Sequence, residues 1–163
     1  MKFINKDNTP IFDAFIVKYK DQINLNKDID TCSSSYKDSK IEEIVSQDLT
    51  EEQKNKFLND SPYIGNPIVN EIRRSNEFCD ICPFTEEEEF ALIAHEIGHF
   101  VSFDLNNIFN ITDKELEEDE IKADNYAVNL GLGNAMKKAL LKMQKANIST
   151  INNNLTIKRI SLL

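Results

Sequence analysis

Thr85-Glu86-Glu87-Glu88-Glu89-Phe90-Ala91-Leu92-Ile93-Ala94-His95-Glu96-Ile97-Gly98-His99-Phe100-Val101 is the stretch that decides how this chain is read. Thr85 with Glu88 makes a capping box, which opens a helix just after Pro83-Phe84. Glu86 to Glu89 then occupy its first turn, where carboxylates favour the positive end of the helix dipole. Phe90, Ile93, Ala94, Ile97 and Val101 recur at core spacing and carry the helix to about residue 103. His95 and His99, the chain's 2 histidines, stand four apart, so both can aim an imidazole at one point. Two imidazole nitrogens at about 2.0–2.1 Å are half of a zinc shell. Glu96 is placed to act as general base on a metal-bound water. Two histidines and a glutamate fall into this pattern by chance about once in a thousand random placements.

Size and composition bound what surrounds this helix. With 163 residues, 40% hydrophobic and 29% charged, the chain has material for one core and reads as one domain. No apolar run is long enough for a transmembrane helix, and Met1-Lys2-Phe3-Ile4-Asn5-Lys6-Asp7 turns polar too soon for a signal peptide. A cytoplasmic location is expected. The net charge of -9 argues against nucleic acid and anionic membrane as partners, since both would repel it. Cys79 and Cys82 form a C-x-x-C pair that Cys32 alone cannot complete into a four-cysteine zinc site. Buried, reduced thiols are the expectation for all 3 cysteines.

Outside the motif the pattern is mostly helical. Pro10 followed by Phe12, Phe15, Ile16 and Tyr19 predicts a helix near 10–21. Residues 22–39 are polar and read as a loop. A helical stretch follows through Ile41, Ile44 and Val45, and a capping box of Thr50 with Gln53 opens another to Phe57 or Leu58. Ile68-Val69 and Phe78 to Cys82 read as short strands, the latter as a sheet edge to which an extended peptide could add. Residues 104–112 read as a loop. Thr112 with Glu115 is a further capping box, for a helix ending near Gly131 or Gly133. Met136, Ala139, Leu140 and Met143 form the apolar side of the next helix, and Leu155 to Leu163 a last short one.

Catalytic zinc needs a third protein ligand and one position left for water. On the 113–130 helix Leu116, Glu120, Ala123, Ala127 and Leu130 recur at three and four, so one face is apolar except for Glu120. A carboxylate in such a stripe is costly unless paired or metal-bound. Asp124, four residues on, would accept a hydrogen bond from one histidine and fix its tautomer. Glu117 borders this side and is the second choice for ligand, whereas Glu118, Lys122, Asn125 and Asn129 form the solvated face.

His95-Glu96-Ile97-Gly98-His99, followed by Glu120-Ile121-Lys122-Ala123-Asp124, resembles the HExxH…ExxAD pattern of gluzincin metallopeptidases. It is most similar to the soluble cores of HtpX-like proteases and more distantly to ImmA/IrrE-like peptidases, over about residues 78–163. The resemblance implies Glu120 as third zinc ligand and Asp124 as its neighbour's support, in agreement with the helical-face argument. Gly131-Leu132, Ala139-Leu140, Lys142 and Arg159-Ile160 also resemble the HtpX-like layout. Two departures stand out. This chain lacks the membrane helices of those enzymes, and Asn154-Leu155-Thr156 replaces their histidine-proline element. Oxyanion stabilisation would then fall to Tyr126, Arg159 or another donor.

The expected protein is a small α+β zincin, mostly helical around a short sheet, with the HExxH helix at its centre. Residues 1–77 would be a helical N-terminal part and 78–163 the metal-binding core. It would hold one zinc ion on His95, His99 and Glu120 and hydrolyse a peptide or protein substrate, with Glu96 as base. The alternative is a non-catalytic module in which zinc only stabilises an interaction or regulatory protein; a fourth protein ligand would mark it.

Overall fold

The computed structural model describes residues 2–33, 61–103, 111–145 and 153–163, and the fold is α+β, mostly helical with a small four-stranded sheet. The chain forms two compact units, Met1–Pro83 and Phe84–Leu163. No helix of the described residues is long and apolar enough to cross a membrane. The helices expected through Ile41 and from Thr50 to Leu58, and most of the 104–112 loop, lie outside the described residues.

The first unit is built on β1 (Phe3–Asn5), α1 (Pro10–Tyr19), β2 (Ile29–Ser33), β3 (Tyr63–Asn66), β4 (Glu71–Arg74) and α2 (Asn76–Ile81). The sheet order is β1-β2-β4-β3. β1, β2 and β4 run parallel, with Phe3 beside Ile29 and Thr31 beside Ile72, and β3 closes the edge antiparallel to β4. Helix α1 starts with Pro at its first turn as expected and buries Phe12, Phe15 and Tyr19. Phe15 meets Phe3 and Phe12 meets Tyr63 edge-on at 6.4 and 6.0 Å, so α1 covers the sheet face carrying those two rings.

Four expectations for this stretch are corrected. The supposed loop 22–39 contains β2, whose Ile29, Thr31, Cys32 and Ser33 are buried. Its last residue is held from outside the strand: Asp7 accepts from both the Ser33 amide, at 2.8 Å, and its hydroxyl, at 2.6 Å. Ile68-Val69 is not a strand but part of the turn joining β3 to β4, closed by Asn70 at φ 54°, a conformation asparagine tolerates. Phe78 to Cys82 is not a sheet edge either. Ser75 accepts a hydrogen bond from the Phe78 amide and caps a helix there, and this overrides the apolar run's strand-like composition. The cysteines are free and buried. Residues 1–77, read as a helical part, hold the four described strands.

The second unit comprises α3 (Glu86–Ser102), α4 (Asp113–Asn129), α5 (Gly133–Lys145) and α6 (Asn153–Leu162). Both expected capping boxes are formed, Thr85 with Glu88 and Thr112 with Glu115. Helix α3 is the core element of this unit. Phe90, Ile93 and Ile97 are all but fully buried, each contributing on the order of 2 kcal/mol of hydrophobic stabilisation. Glu88 also accepts from Lys142 of α5 at 2.6 Å, so the cap of α3 is tied to a neighbouring helix. Helix α4 ends where the glycine predicted: Gly131 has φ +79°, and the Leu132 and Gly131 amides return to the Ala127 and Val128 carbonyls at 2.9 Å. Met136, Ala139, Leu140 and Met143 of α5 are buried as expected.

Candidate metal centre

Two facing stripes of side chains make the site. On α3 they are His95, Gly98, His99 and Ser102; on α4 they are Asp124, Ala123, Glu120 and Asp119. His95 bonds Asp124, His99 and Ser102 bond Asp119, and Gly98 abuts Ala123, so the helices run antiparallel across this contact. Gly98 sets the spacing. A β-carbon there would stand 2.6 Å from the Ala123 Cα and 3.0 Å from its carbonyl oxygen, so only glycine permits this approach.

The approach brings three donors together. His95 Nε2 and His99 Nε2 are 3.1 Å apart, and the two oxygens of Glu120 lie one against each, both at 3.4 Å. This group could hold a metal ion. Donors about 2.0–2.1 Å from a shared centre at tetrahedral angles stand about 3.3–3.4 Å apart, close to the observed edges.

The outer ring nitrogens are held just as firmly. His95 Nδ1 meets Asp124 Oδ1 at 2.8 Å, and His99 Nδ1 meets Asp119 Oδ2 at 2.8 Å. A carboxylate accepts only, so each Nδ1 carries its hydrogen, and each Nε2 is the ring nitrogen turned toward Glu120. Beside that carboxylate the imidazoles either hold a proton on Nε2 or, once it is lost, offer its lone pair to a metal ion.

Electrostatics follow from this crowding. Burial pushes His99 down, but the bonds to Asp119 and Glu120 outweigh it and raise the group to about 10. His95 is raised in the same way by Asp124 and Glu120 against its burial. Burial works against ionised Glu120 too, yet the two imidazoles and Arg159 hold it far below the usual carboxylate range. Asp124 is lowered by Arg159 and His95 despite its burial.

Arg159, on α6, ties two carboxylates of the site together. Its Nε and Nη2 bond the two oxygens of Asp124 at 2.7 and 2.8 Å, and its Nη1 meets Glu120 Oε2 at 2.7 Å. Its Nη2 is also 3.3 Å from His95 Nδ1, both groups aiming at the same Asp124 oxygen. Each of its three nitrogens thus meets a carboxylate, so Arg159 holds Asp124 and Glu120 in place. Tyr126 is not linked to the group by any hydrogen bond, and its hydroxyl is buried without a partner among the described residues.

The remaining sequence candidates separate cleanly. Glu96 is buried beside His95 on α3, and its charge helps to keep both His99 and Arg159 protonated. Glu117, the second choice for ligand, pairs with Lys158 instead, and Glu118 pairs with Lys114 at 3.8 Å. Leu116, expected on the inner stripe, is 50% exposed. The α4 stripe thus reaches solvent one turn before Glu120. Asp119 was missed from sequence because it lies at the border between the polar and apolar faces. The available signal was its position one residue before the ligand candidate. Comparison of the chain with protein families, curated proteins and solved structures finds no match.

Proposed function

We infer that this chain is a zinc-dependent metallopeptidase of gluzincin type, with a zincin-like second unit and a peptide or protein substrate. One observation carries the reading. Three donor side chains, His95, His99 and Glu120, meet at 3.1–3.4 Å, while Asp124 and Asp119 bond both imidazoles from behind. No fourth histidine, cysteine or carboxylate joins that group among the described residues, and Asp124 is turned onto the outer nitrogen of His95. That favours a site with a position left for water over a closed structural one. A bound zinc ion would lower the pKa of water toward ~7 and polarise a scissile carbonyl. Glu96, adjacent to His95 and buried, accepts the proton of the attacking water and can return it to the leaving amine. Arg159 keeps Glu120 and Asp124 ionised and in place throughout.

Metal analysis followed by cleavage profiling against a whole proteome tests this reading. The wild type should carry about one zinc and cleave a defined set of peptides. Glu96→Gln should keep the zinc and lose at least ~10²–10⁴-fold in rate, because an amide cannot take the proton. A wild type that takes up no zinc refutes the metal site. A zinc-loaded wild type that cleaves nothing turns the reading toward a non-catalytic zinc-stabilised module.

A further inference from the structure

We propose that Asp119, clamped by Ser102, is the positioning residue for His99, so that α4 supplies a separate orienting carboxylate for each imidazole. The inference rests on the metal reading above and adds to it a residue pair from this chain's own geometry.

The Asp119 carboxylate is used at both ends. Oδ2 accepts from His99 Nδ1 at 2.8 Å and Oδ1 accepts from the Ser102 hydroxyl at 2.6 Å. The same hydroxyl lies 3.2 Å from the Gly98 carbonyl and 3.4 Å from that of His99. A hydroxyl has one hydrogen to donate, and the short contact to a charged acceptor is the stronger of these. With both oxygens engaged, the plane of the carboxylate is fixed. The His99 ring is therefore fixed in rotation and in tautomer, which leaves Nε2 facing His95 and Glu120.

Spacing explains why two carboxylates are needed. His95 and His99 are one turn apart on α3, and α4 runs the opposite way past them. A single carboxylate at the level of Asp124 serves His95, whereas the level of His99 is reached only one turn earlier on α4, at Asp119 and Glu120. These adjacent residues divide the work: Glu120 faces the inner nitrogens and Asp119 the outer one. The two supports differ in setting. The Asp124 side chain is 5% exposed and bonded to Arg159, whereas that of Asp119 is 41% exposed and, among the described residues, pairs with His99 as its only cation. The contribution of Asp119 is accordingly read at the metal, with the fold followed separately.

The test is zinc titration of the full chain by competition with a chelator, with cobalt(II) absorption spectra as a second readout and thermal denaturation of the metal-free protein as a third. Asp119→Asn should weaken zinc by ~10–100-fold and shift the cobalt spectrum, and the melting temperature of the metal-free protein shows that the variant is still folded. Ser102→Ala should weaken zinc several-fold. The double variant should be no worse than Asp119→Asn alone, because Ser102 acts through Asp119. Glu118→Gln should match wild type. A wild type that takes up no zinc overturns the metal reading and this inference together. Zinc affinity and cobalt spectra unchanged in both Asp119→Asn and Ser102→Ala overturn the inference alone. Fully additive losses in the double variant refute the clamp.

Discussion

Gly98→Ala tests the helix contact on which the site depends. Alanine normally stabilises a helix interior by ~0.5–1 kcal/mol over glycine, so propensity alone predicts a gain. Space predicts the opposite. The added methyl would sit 2.6 Å from the Ala123 Cα, 3.0 Å from its oxygen and 3.1 Å from the Tyr126 Cβ, against an ordinary carbon–carbon contact of about 3.5–4.0 Å. Relief requires α3 and α4 to part by about 1 Å, since backbone cannot swing aside as a side-chain tip can. Overpacking of this kind costs about 1–3 kcal/mol, which offsets the propensity gain and leaves a modest net destabilisation. The larger effect falls on the donors. Widening the 3.4 Å separations between Glu120 and the two imidazoles by that amount takes them well beyond the edges of a tetrahedral shell. Zinc affinity should fall by ~100-fold or more while the helices still form. Circular dichroism, thermal denaturation and chelator competition measure these quantities separately. Ala123→Gly should not rescue the variant, because the closest atom is the Ala123 Cα itself. A Gly98→Ala protein with wild-type zinc affinity would refute the argument that this contact sets the donor geometry.

Glu120→Ala should remove most zinc binding, whereas Glu117→Ala, whose carboxylate is engaged with Lys158, should leave it unchanged; titrating the two together checks the register of α4. Arg159→Leu should destabilise the protein by about 3–5 kcal/mol in urea unfolding, because it removes the guanidinium from the buried Asp124 and half-buried Glu120 carboxylates and leaves them to the imidazoles alone. A loss below 1 kcal/mol would show that these charges are solvated. Cys32 is pushed up to about 12, chiefly by burial and further by Glu71, while an unfolded thiol ionises near ~8.5. Its contribution to stability is therefore complete below pH ~8.5 and lost as pH rises toward 12, about 1–2 kcal/mol of it by pH ~10. Cys32→Ala should flatten the alkaline limb of the stability profile, and an unchanged limb would refute the assignment.

Much of the second unit was legible because its signals are local. Thr85 with Glu88 and Thr112 with Glu115 mark helix starts, Gly131 marks an end, and His95 and His99 share a face by spacing alone. Glu120 and Asp124 followed from one further local argument, the cost of acid in an apolar stripe. The sheet was not legible. Its central strands read Ile29-Asp30-Thr31-Cys32-Ser33 and Glu71-Ile72-Arg73-Arg74, and what lets such polar strands be buried is tertiary. Glu71 is 2% exposed because its strand lies between β2 and β3 in the sheet, a placement that only the pairing of distant segments decides. Phe78 to Cys82 misled in the other direction, since a one-residue cap at Ser75 outweighed five residues of strand-like composition. The part played by Arg159 could not be read either. Its partners are 35 and 39 residues away in sequence, and an arginine that holds carboxylates has the same local sequence as one that binds substrate.

The antiparallel pairing of α3 with α4 makes the site a matter of register. His95 with Asp124, Gly98 with Ala123, and His99 with Asp119 and Glu120 are rungs of one ladder. Sliding α4 by one residue, about 1.5 Å, would misalign every rung together. The donors therefore cannot be lost or gained one at a time by helix motion. At the crossing glycine meets alanine, and the charged rungs on either side add directional contacts to the apolar packing of the two helices. A ligand that binds this donor set binds only the aligned register, and so stabilises the whole helix pair by mass action.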